Sequence, residues 1–413
     1  MSVTDWHTQF DHTSPDFYTN PFPVWDELRE QCPIARSEKF RGMWVPTTYD
    51  DMVAISHDTA TFSSRSPVVT EYLNMSEFGV LAPPISSDPP YHTAIRRLLL
   101  PYFAPKRIEA LRPRTESICD ELLDEILADG ATGCDAAEQY AQHIPVRLIA
   151  HILGVPESDA PKFRQWVHDL LEVGVNDFAV GMMALQDFFG YFRELMLRRR
   201  DEPGDDVVSF LTQARMVASG EGQGGTFVEG YGAEDERPLT DQEVLGVCLL
   251  LLLAGIDTTW SSIGSGIWHF AQHPEHRARL AADPDLWPMA IEELLRAYAP
   301  VTMAREVNAD VNYKGCPMAK GDPLLLPFPA ANRDPAAFPD PDQVIIDRAE
   351  NRHVAFGVGI HRCLGSNLAR LELTVAVQKF VECVPEFSLT DPAAVTWSSG
   401  QVRGPRSLPL TFT

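Results

Sequence analysis

Helical periodicity constrains this chain more than any other feature. Apolar residues recur at i, i+3 and i+4 in "PKRIEALRPRTESICDELLDEILADG", "PVRLIAHILG", "DAPKFRQWVHDLLEVG", "MMALQDFFGYFRELMLRRR" and "LARLELTVAVQKFVECV", the spacing that lays an apolar stripe along a helix. A mostly α fold is predicted. Segments of β type, bounded by turn formers, occur at "GMWVPTTYDDMVAIS", "VNYKGCPMAKGDPLLLPF" and "RSLPLTF" and predict small sheets flanking a helical body. Two stretches carry neither period. Residues 64–90, rich in Pro and Ser, read as a long loop with a short helix, of the kind that often binds ligands. Residues Ala218 to Thr240, rich in Gly and acid, read as a mobile segment. Neither separates two independent cores, so residues 1–413 are expected to form one domain.

Charge and cysteine usage narrow the partners. Asp and Glu outnumber Lys and Arg by 58 to 34, a field that repels nucleic acid and anionic membrane surfaces. The seven cysteines are scattered and form no CxxC pair, which fits a reducing cytosol. The N-terminus lacks the basic start and apolar run of a signal peptide. The longest strongly apolar run, Val244 to Ile256, is thirteen residues, short of the roughly 18 expected of a membrane span. A cytoplasmic protein with no membrane and no nucleic-acid partner is expected.

Cys363 stands in "HVAFGVGIHRCLGSNLAR" among glycines and histidines, just ahead of a helical run. Gly357, Gly359 and Gly365 are expected to permit positive φ and close approach of a flat partner to the backbone. Zinc would need about four ligands, and His361 with Cys363 supplies two. An iron-sulfur cluster would need several thiolates. A nucleophilic thiol stays open, although no base partner stands out. One thiolate on haem iron needs a single cysteine, N–H groups aimed at the sulfur and a helix N-terminus beside it, and this loop meets those needs.

The ten residues Phe356 to Gly365, "FGVGIHRCLG", resemble the cysteine-ligand loop of the cytochrome P450 superfamily, the haem-thiolate monooxygenases. That resemblance implies a triangular, mostly α body with small β-sheets and haem b between a central helix and the cysteine loop. It implies Cys363 as the axial iron ligand, with Phe356, Gly357 and Gly365 shaping the loop. Glu293 and Arg296 in "EELLRAYAP" would alone read as a surface ion pair. The resemblance joins them to Arg348 in a buried structural network. "LLLLLAGIDTTW" resembles the family's central helix, with Ala254 and Gly255 leaving space above the iron. Thr258 is implied to hold dioxygen and a water while Asp257 relays protons; the structural alternative is a Thr bonded to its i−4 carbonyl and an Asp capping a helix break. His92, Arg96, Arg305 and His361 are implied partners of the haem propionates.

By the same resemblance the substrate pocket falls at Phe78, Val80, Leu81, Leu250, Ala254, Val301 and Met303, with Val395 to Trp397 as a further wall. Apolar lining favours a small-to-medium hydrophobic substrate such as a terpenoid, aromatic or branched lipid. Only 50 residues follow Cys363, too few for a flavin module, so electrons are expected from a separate ferredoxin and ferredoxin reductase. Arg96, Arg97, Lys106, Arg107 and Arg362 would give a locally basic face to steer that partner. The expected activity is insertion of one oxygen atom into a C–H bond. A peroxide-driven peroxygenase and a non-catalytic haem sensor are the alternatives, and neither needs the Asp257 and Thr258 pair.

Overall fold

A computed structural model describes residues 5–69, 81–174, 177–217 and 235–413. Its organising element is the helix Asp241–Gln272, 32 residues long. A capping box starts it: the Thr240 side chain accepts from the Glu243 N–H, and the Glu243 carboxylate accepts from the Thr240 N–H. Two otherwise orphaned donors are satisfied reciprocally. The middle of this helix is apolar all round and therefore needs cover on every side. The helices His143–Leu153 and Ser366–Cys383 supply it, with Arg112–Leu127 packed behind the latter. By length and composition alone the central helix could cross a membrane, yet 72% of its most apolar window is buried inside this body.

Beside the helices lies a five-stranded sheet in the spatial order Ile34–Arg36, Trp44–Pro46, Pro323–Pro327, Thr302–Val307 and Phe62–Ser63. Antiparallel pairing sets Leu324 opposite Arg305 and Leu326 opposite Met303. The pleat therefore carries Met303 and Arg305 on one face of their strand.

Three of the sequence expectations change. Only Trp44–Pro46 of "GMWVPTTYDDMVAIS" is strand. Thr48 caps a helix over Tyr49–His57, its side chain accepting from the Asp51 N–H, and Asp50 and Asp51 in the first turn suit the helix dipole. "RSLPLTF" is divided between two sheets, one holding Pro405–Ser407 and the other Pro409–Phe412. Within the stretch expected to be mobile, Glu236–Pro238 pairs with Arg215–Val217, anchored by a buried two-point ion pair from Arg237 to Glu243 at 2.7 and 2.8 Å. Residues 218–234 of that stretch and 70–80 of the Pro- and Ser-rich loop lie outside the described residues. In "VNYKGCPMAKGDPLLLPF" the expectation is met by a hairpin, Val311–Tyr313 with Cys316–Met318, followed by the strand Pro323–Pro327. The hairpin turns at Lys314 and Gly315, both with positive φ, the geometry that matches strand twist.

Glu372, on the helix Ser366–Cys383, is fully buried and neither carboxylate oxygen has a partner among the described residues. Burial pushes its pKa well above the usual carboxylate range, so the folded chain holds this proton while the unfolded chain releases it. Stability attached to Glu372 is therefore full below the ordinary carboxylate pKa and falls as pH rises, by up to about 1.4 kcal/mol per unit. Glu372→Gln is expected to flatten that slope. Denaturant midpoints of both proteins at pH 5 and pH 8 check it: an equal wild-type-to-variant gap at the two values would refute the protonated carboxyl.

Candidate active site

The loop ahead of the helix Ser366–Cys383 closes on itself. The Cys363 N–H donates to the Phe356 carbonyl at 2.8 Å, and the Gly357 N–H to the Val354 carbonyl at 2.8 Å. Gly357 and Gly359 have φ of 65° and 71°. A Cβ at Gly359 would stand 2.7 Å from the Ser56 carbonyl oxygen, a backbone atom that cannot step aside. Gly365 departs from the sequence expectation, because its φ is −83°. Its contribution is contact: its N–H bonds the Cys363 sulfur, and a Cβ there would come 4.0 Å from Sγ. The surrounding protein mass raises the Cys363 thiol pKa, while the Gly365 N–H and the charges of Arg96, Arg362 and Arg370 pull it back. Solvent nonetheless reaches Cys363, so the residue lines a recess in the protein.

Two histidines and two arginines converge beside this loop. The rings of His92 and His361 lie 4.2 Å apart, and Arg96 Nη2 donates to the Arg362 carbonyl at 2.5 Å. Burial, then the positive charges of Arg305 and His92, drives the His361 pKa down to about 2; burial and Arg96 take His92 down to about 4. Burial also lowers Arg305 to about 10. Both ring nitrogens of His92, Nε2 of His361 and Nε of Arg305 are buried with no hydrogen-bond partner among the described residues. Native proteins rarely leave such groups unpaired. Several donors and imidazoles around one spot, next to a thiol in a glycine loop, fit a group carrying two carboxylates. The residues present therefore fit haem and its propionates.

On the central helix Ala254 is exposed although the residues around it are largely covered. Thr258 Oγ1 donates to the Ala254 carbonyl at 2.8 Å, and the helix runs through without a break. Asp257 caps nothing. It is buried and accepts from Arg406 Nη2 at 2.6 Å, while Arg406 Nε donates to Glu172 at 2.6 Å and its Nη1 to Ser261 Oγ at 3.1 Å. Burial raises the Asp257 pKa to about 6, and Arg406 holds it from rising further. A Cβ at Gly255 would meet Ile149 Cδ1 at 2.4 Å, so its small size serves helix packing.

Glu293 and Arg296 are completely buried, which removes the surface ion-pair reading. Arg296 bonds both Glu293 oxygens at 2.8 Å and three carbonyls, those of Asn332, Pro341 and Gln343. Arg348 Nε joins at 3.0 Å, the Ile345 N–H at 2.9 Å and Asn351 Nδ2 at 3.1 Å. The preceding residue makes a second network that the sequence reading missed. Glu292 accepts from Arg370 at 2.6 and 2.8 Å and lies 2.9 Å from His353 Nε2. Burial would raise its pKa, but the bonds from Arg370 and His353 outweigh it and bring it to about 2. Arg370 also lies over the Phe356 ring at 4.5 Å, which braces the cysteine loop from below.

The expected pocket residues come from several elements. Phe78 and Val80 lie outside the described residues. The Leu81 carbonyl packs so near the central helix that a Cβ on Gly246 would stand 2.4 Å from it. Leu250 is half-buried on that helix, Met303 half-buried in its strand, and Val301 bridges to Val402. Trp397 packs edge-on against Trp268 at 5.3 Å, beneath Arg403 at 3.8 Å, so it belongs to a packed corner. The two groups of site residues, Cys363 with its cations and Asp257 with Arg406, make no hydrogen bond to each other.

The family model for cytochrome P450 matches residues 39–393. The chain belongs to the cytochrome P450 family. It is 34% identical over 394 residues to the mycinamicin IV hydroxylase/epoxidase of Micromonospora griseorubida, covering 94% of each chain. It is also 34% identical to the vitamin D(3) 25-hydroxylase of Pseudonocardia autotrophica, over 100% of this chain and 99% of that protein. The solved structure of the bacillaene polyketide synthase cytochrome P450 PksS of Bacillus subtilis 168 superimposes with a TM-score of 0.85 at 32% identity, over 98% of this chain and 100% of that one. The P450 is thus an oxidoreductase of the monooxygenase type whose cofactor is haem b held by a cysteine thiolate, and which takes a small-molecule substrate and electrons from redox partners.

Proposed function

We propose that this P450 hydroxylates an apolar small molecule, with Cys363 as the axial thiolate, His92, Arg96, Arg305 and His361 holding the propionates, and Asp257 with Thr258 managing protons. The cluster of unpaired buried nitrogens next to Cys363 is the observation that carries this reading. The balance is one dioxygen, two electrons and two protons in, and hydroxylated product and water out. Haem supplies dioxygen activation; the protein must deliver the protons in sequence.

Asp257 suits proton delivery, because a carboxyl with a pKa of about 6 is near the working pH, where general acids operate best. Arg406 ties it to Glu172; a guanidinium keeps its protons, so we read Arg406 as the group that orients and tunes Asp257, and Asp257 itself as the proton donor. Thr258, whose hydroxyl now donates to the Ala254 carbonyl, has its oxygen lone pairs left to accept from a water.

Thr258→Ala is expected to keep haem and substrate binding while sending most electrons to peroxide or water. Product per electron, measured beside reductant consumption, checks it; equal yields in both proteins would remove the threonine from proton handling. Asp257→Asn is expected to lower turnover by ~10²-fold, and Arg406→Met to shift the pH profile of coupling upward, since removing the guanidinium raises the Asp257 pKa further. A profile that stays in place would show that Arg406 does not set Asp257.

For the substrate, the half-buried apolar residues Leu250, Val301 and Met303 support a hydrophobic molecule. The likeness to PksS, whose name places it with a polyketide synthase, puts polyketides beside terpenoids, aromatics and branched lipids as the first compounds to screen. A low-to-high spin shift of the ferric haem reads binding directly. Electrons are assigned to a ferredoxin and its reductase, docking where Arg97, Lys106, Arg107 and Arg362 are exposed near the cysteine loop; of these Arg107 is paired with Asp205 at 3.6 Å. One haem domain over residues 1–413, working in the cytoplasm, completes the proposal.

A further inference from the structure

The central helix runs out in "HFAQHPEH", residues 269–276, a His-x3-His-x2-His pattern that the monooxygenase reading does not use. His273 ends that helix and precedes the next, Pro274–Ala282, with non-helical φ and ψ of −125° and 69°. This turn folds the chain back so that three imidazoles meet. His269 and His273 stack with centroids 4.3 Å apart, His273 and His276 at 5.3 Å, and His269 and His276 at 5.1 Å. His273 Nδ1 lies 2.9 Å from a Glu275 carboxylate oxygen. One ligand atom from each of His273, Glu275 and His276 falls within 4.8 Å of the other two.

We propose that His273, Glu275 and His276 form a binding site for a divalent transition metal of the zinc class, with His269 and Tyr298 as positioning residues. Two imidazoles and one carboxylate, with water completing the shell, are a donor set that zinc accepts, and imidazole donors also suit copper and nickel. A helix-junction turn with a carboxylate at the next N-terminus explains Glu275 alone through the helix dipole. It does not explain three imidazoles brought face to face.

The second observation is the chain of contacts behind the site. His276 Nδ1 lies 2.9 Å from Nε2 of the fully buried His269, whose Nδ1 lies 2.9 Å from the Tyr298 hydroxyl. Metal-ligating histidines are commonly held in this way through the nitrogen that does not bind the ion. When His276 Nδ1–H donates to His269 and His269 Nδ1–H donates to Tyr298, the His276 Nε2 lone pair is free for metal, and that nitrogen has no other hydrogen bond among the described residues. His273 and Glu275 have side chains 42% and 61% exposed, so an ion can enter from solvent. The acidic net charge of the chain, −24, favours cation approach. A bound ion would clamp the central helix to the one that follows, and reach through Tyr298 to the helix bearing Glu293 and Arg296.

The site is independent of haem ligation and is tested on the full-length haem-loaded protein. After chelator treatment, zinc chloride titrated by calorimetry, with zinc per chain by elemental analysis, is expected to show one tight site, a raised melting temperature, and nitrogen and oxygen neighbours without sulfur in zinc X-ray absorption. His273→Ala with His276→Ala should abolish that site while leaving the haem spectrum unchanged. Tyr298→Phe should weaken zinc roughly tenfold with little change in melting temperature when zinc is absent, and that separates positioning from packing. No stoichiometric zinc in the wild type, undiminished binding in the double variant, or sulfur in the zinc shell would each overturn the proposal.

Discussion

Cys363→Ala is expected to abolish monooxygenation and to remove the red-shifted Soret band of the reduced carbon monoxide complex. That band reports thiolate ligation, and no second cysteine is placed to substitute: Cys119 and Cys248 are buried in the helical core, and the other four free cysteines lie outside this loop. The fold itself should survive. Cys363 is exposed and lies outside the hydrophobic core, so truncation opens no cavity in the core, and the bond from the Cys363 N–H to the Phe356 carbonyl does not depend on the side chain. Circular dichroism and a denaturation curve would show a folded protein, and the carbon monoxide spectrum would show the lost ligand. A variant that kept the shifted band would assign the thiolate elsewhere and would overturn the reading of the cysteine loop.

Glu293→Gln is expected to be the most damaging substitution for stability, costing ~3–5 kcal/mol. Glu293 is the single acceptor that neutralises two buried guanidinium groups, those of Arg296 and Arg348, while also accepting from the Ile345 N–H and Asn351. An amide in its place leaves both guanidinium groups with backbone carbonyls as partners but with no counter-charge in a buried site. Arg296→Lys should also be severe, because one ammonium cannot reproduce five bonds to two carboxylate oxygens and three carbonyls. By contrast, Glu109→Gln, which breaks an exposed pair with Arg112, should change stability far less, because solvent screens exposed ion pairs. The denaturant midpoint and the yield of soluble haem protein distinguish the three. If Glu293→Gln and Glu109→Gln cost the same, the buried network is not what holds this region.

The Asp257 site shows where local reading of a chain stops. "AGIDTT" marks an acid and an alcohol in an apolar helix, and elementary cost arguments say that such an acid must be paired or used. Nothing near it in sequence names the partner. Arg406 is 149 residues away, in a terminal strand whose apolar alternation made it look like ordinary sheet. Glu292 was equally quiet: beside Glu293 it reads as one more helix carboxylate, until folding brings Arg370 and His353 to it. The histidine turn at 269–276 is visible as a pattern, but the stacking that makes it a site depends on non-helical dihedrals at His273. The smallness of Gly255 and Gly365 is legible in the sequence, but the negative φ at Gly365 and the Ile149 side chain packed against Gly255 are not, because which neighbour approaches a glycine is a tertiary fact.

By itself the sequence determined the helical class, the positions of the long helices, the glycine loop around Cys363 and the residue types able to hold haem. Those are carried by short-range causes: side-chain period, capping and turn chemistry, each acting within a few residues. Tertiary structure alone decided which charges are paired and which buried nitrogens have no partner among the described residues. It also decided that Asp257 belongs to Arg406, and that three histidines at a helix end face one another. Burial and pairing depend on segments far apart in the chain arriving at the same place, and a carboxylate pKa of about 6 at Asp257 or about 2 at Glu292 is set by those arrivals and not by the residue's own neighbours in the chain.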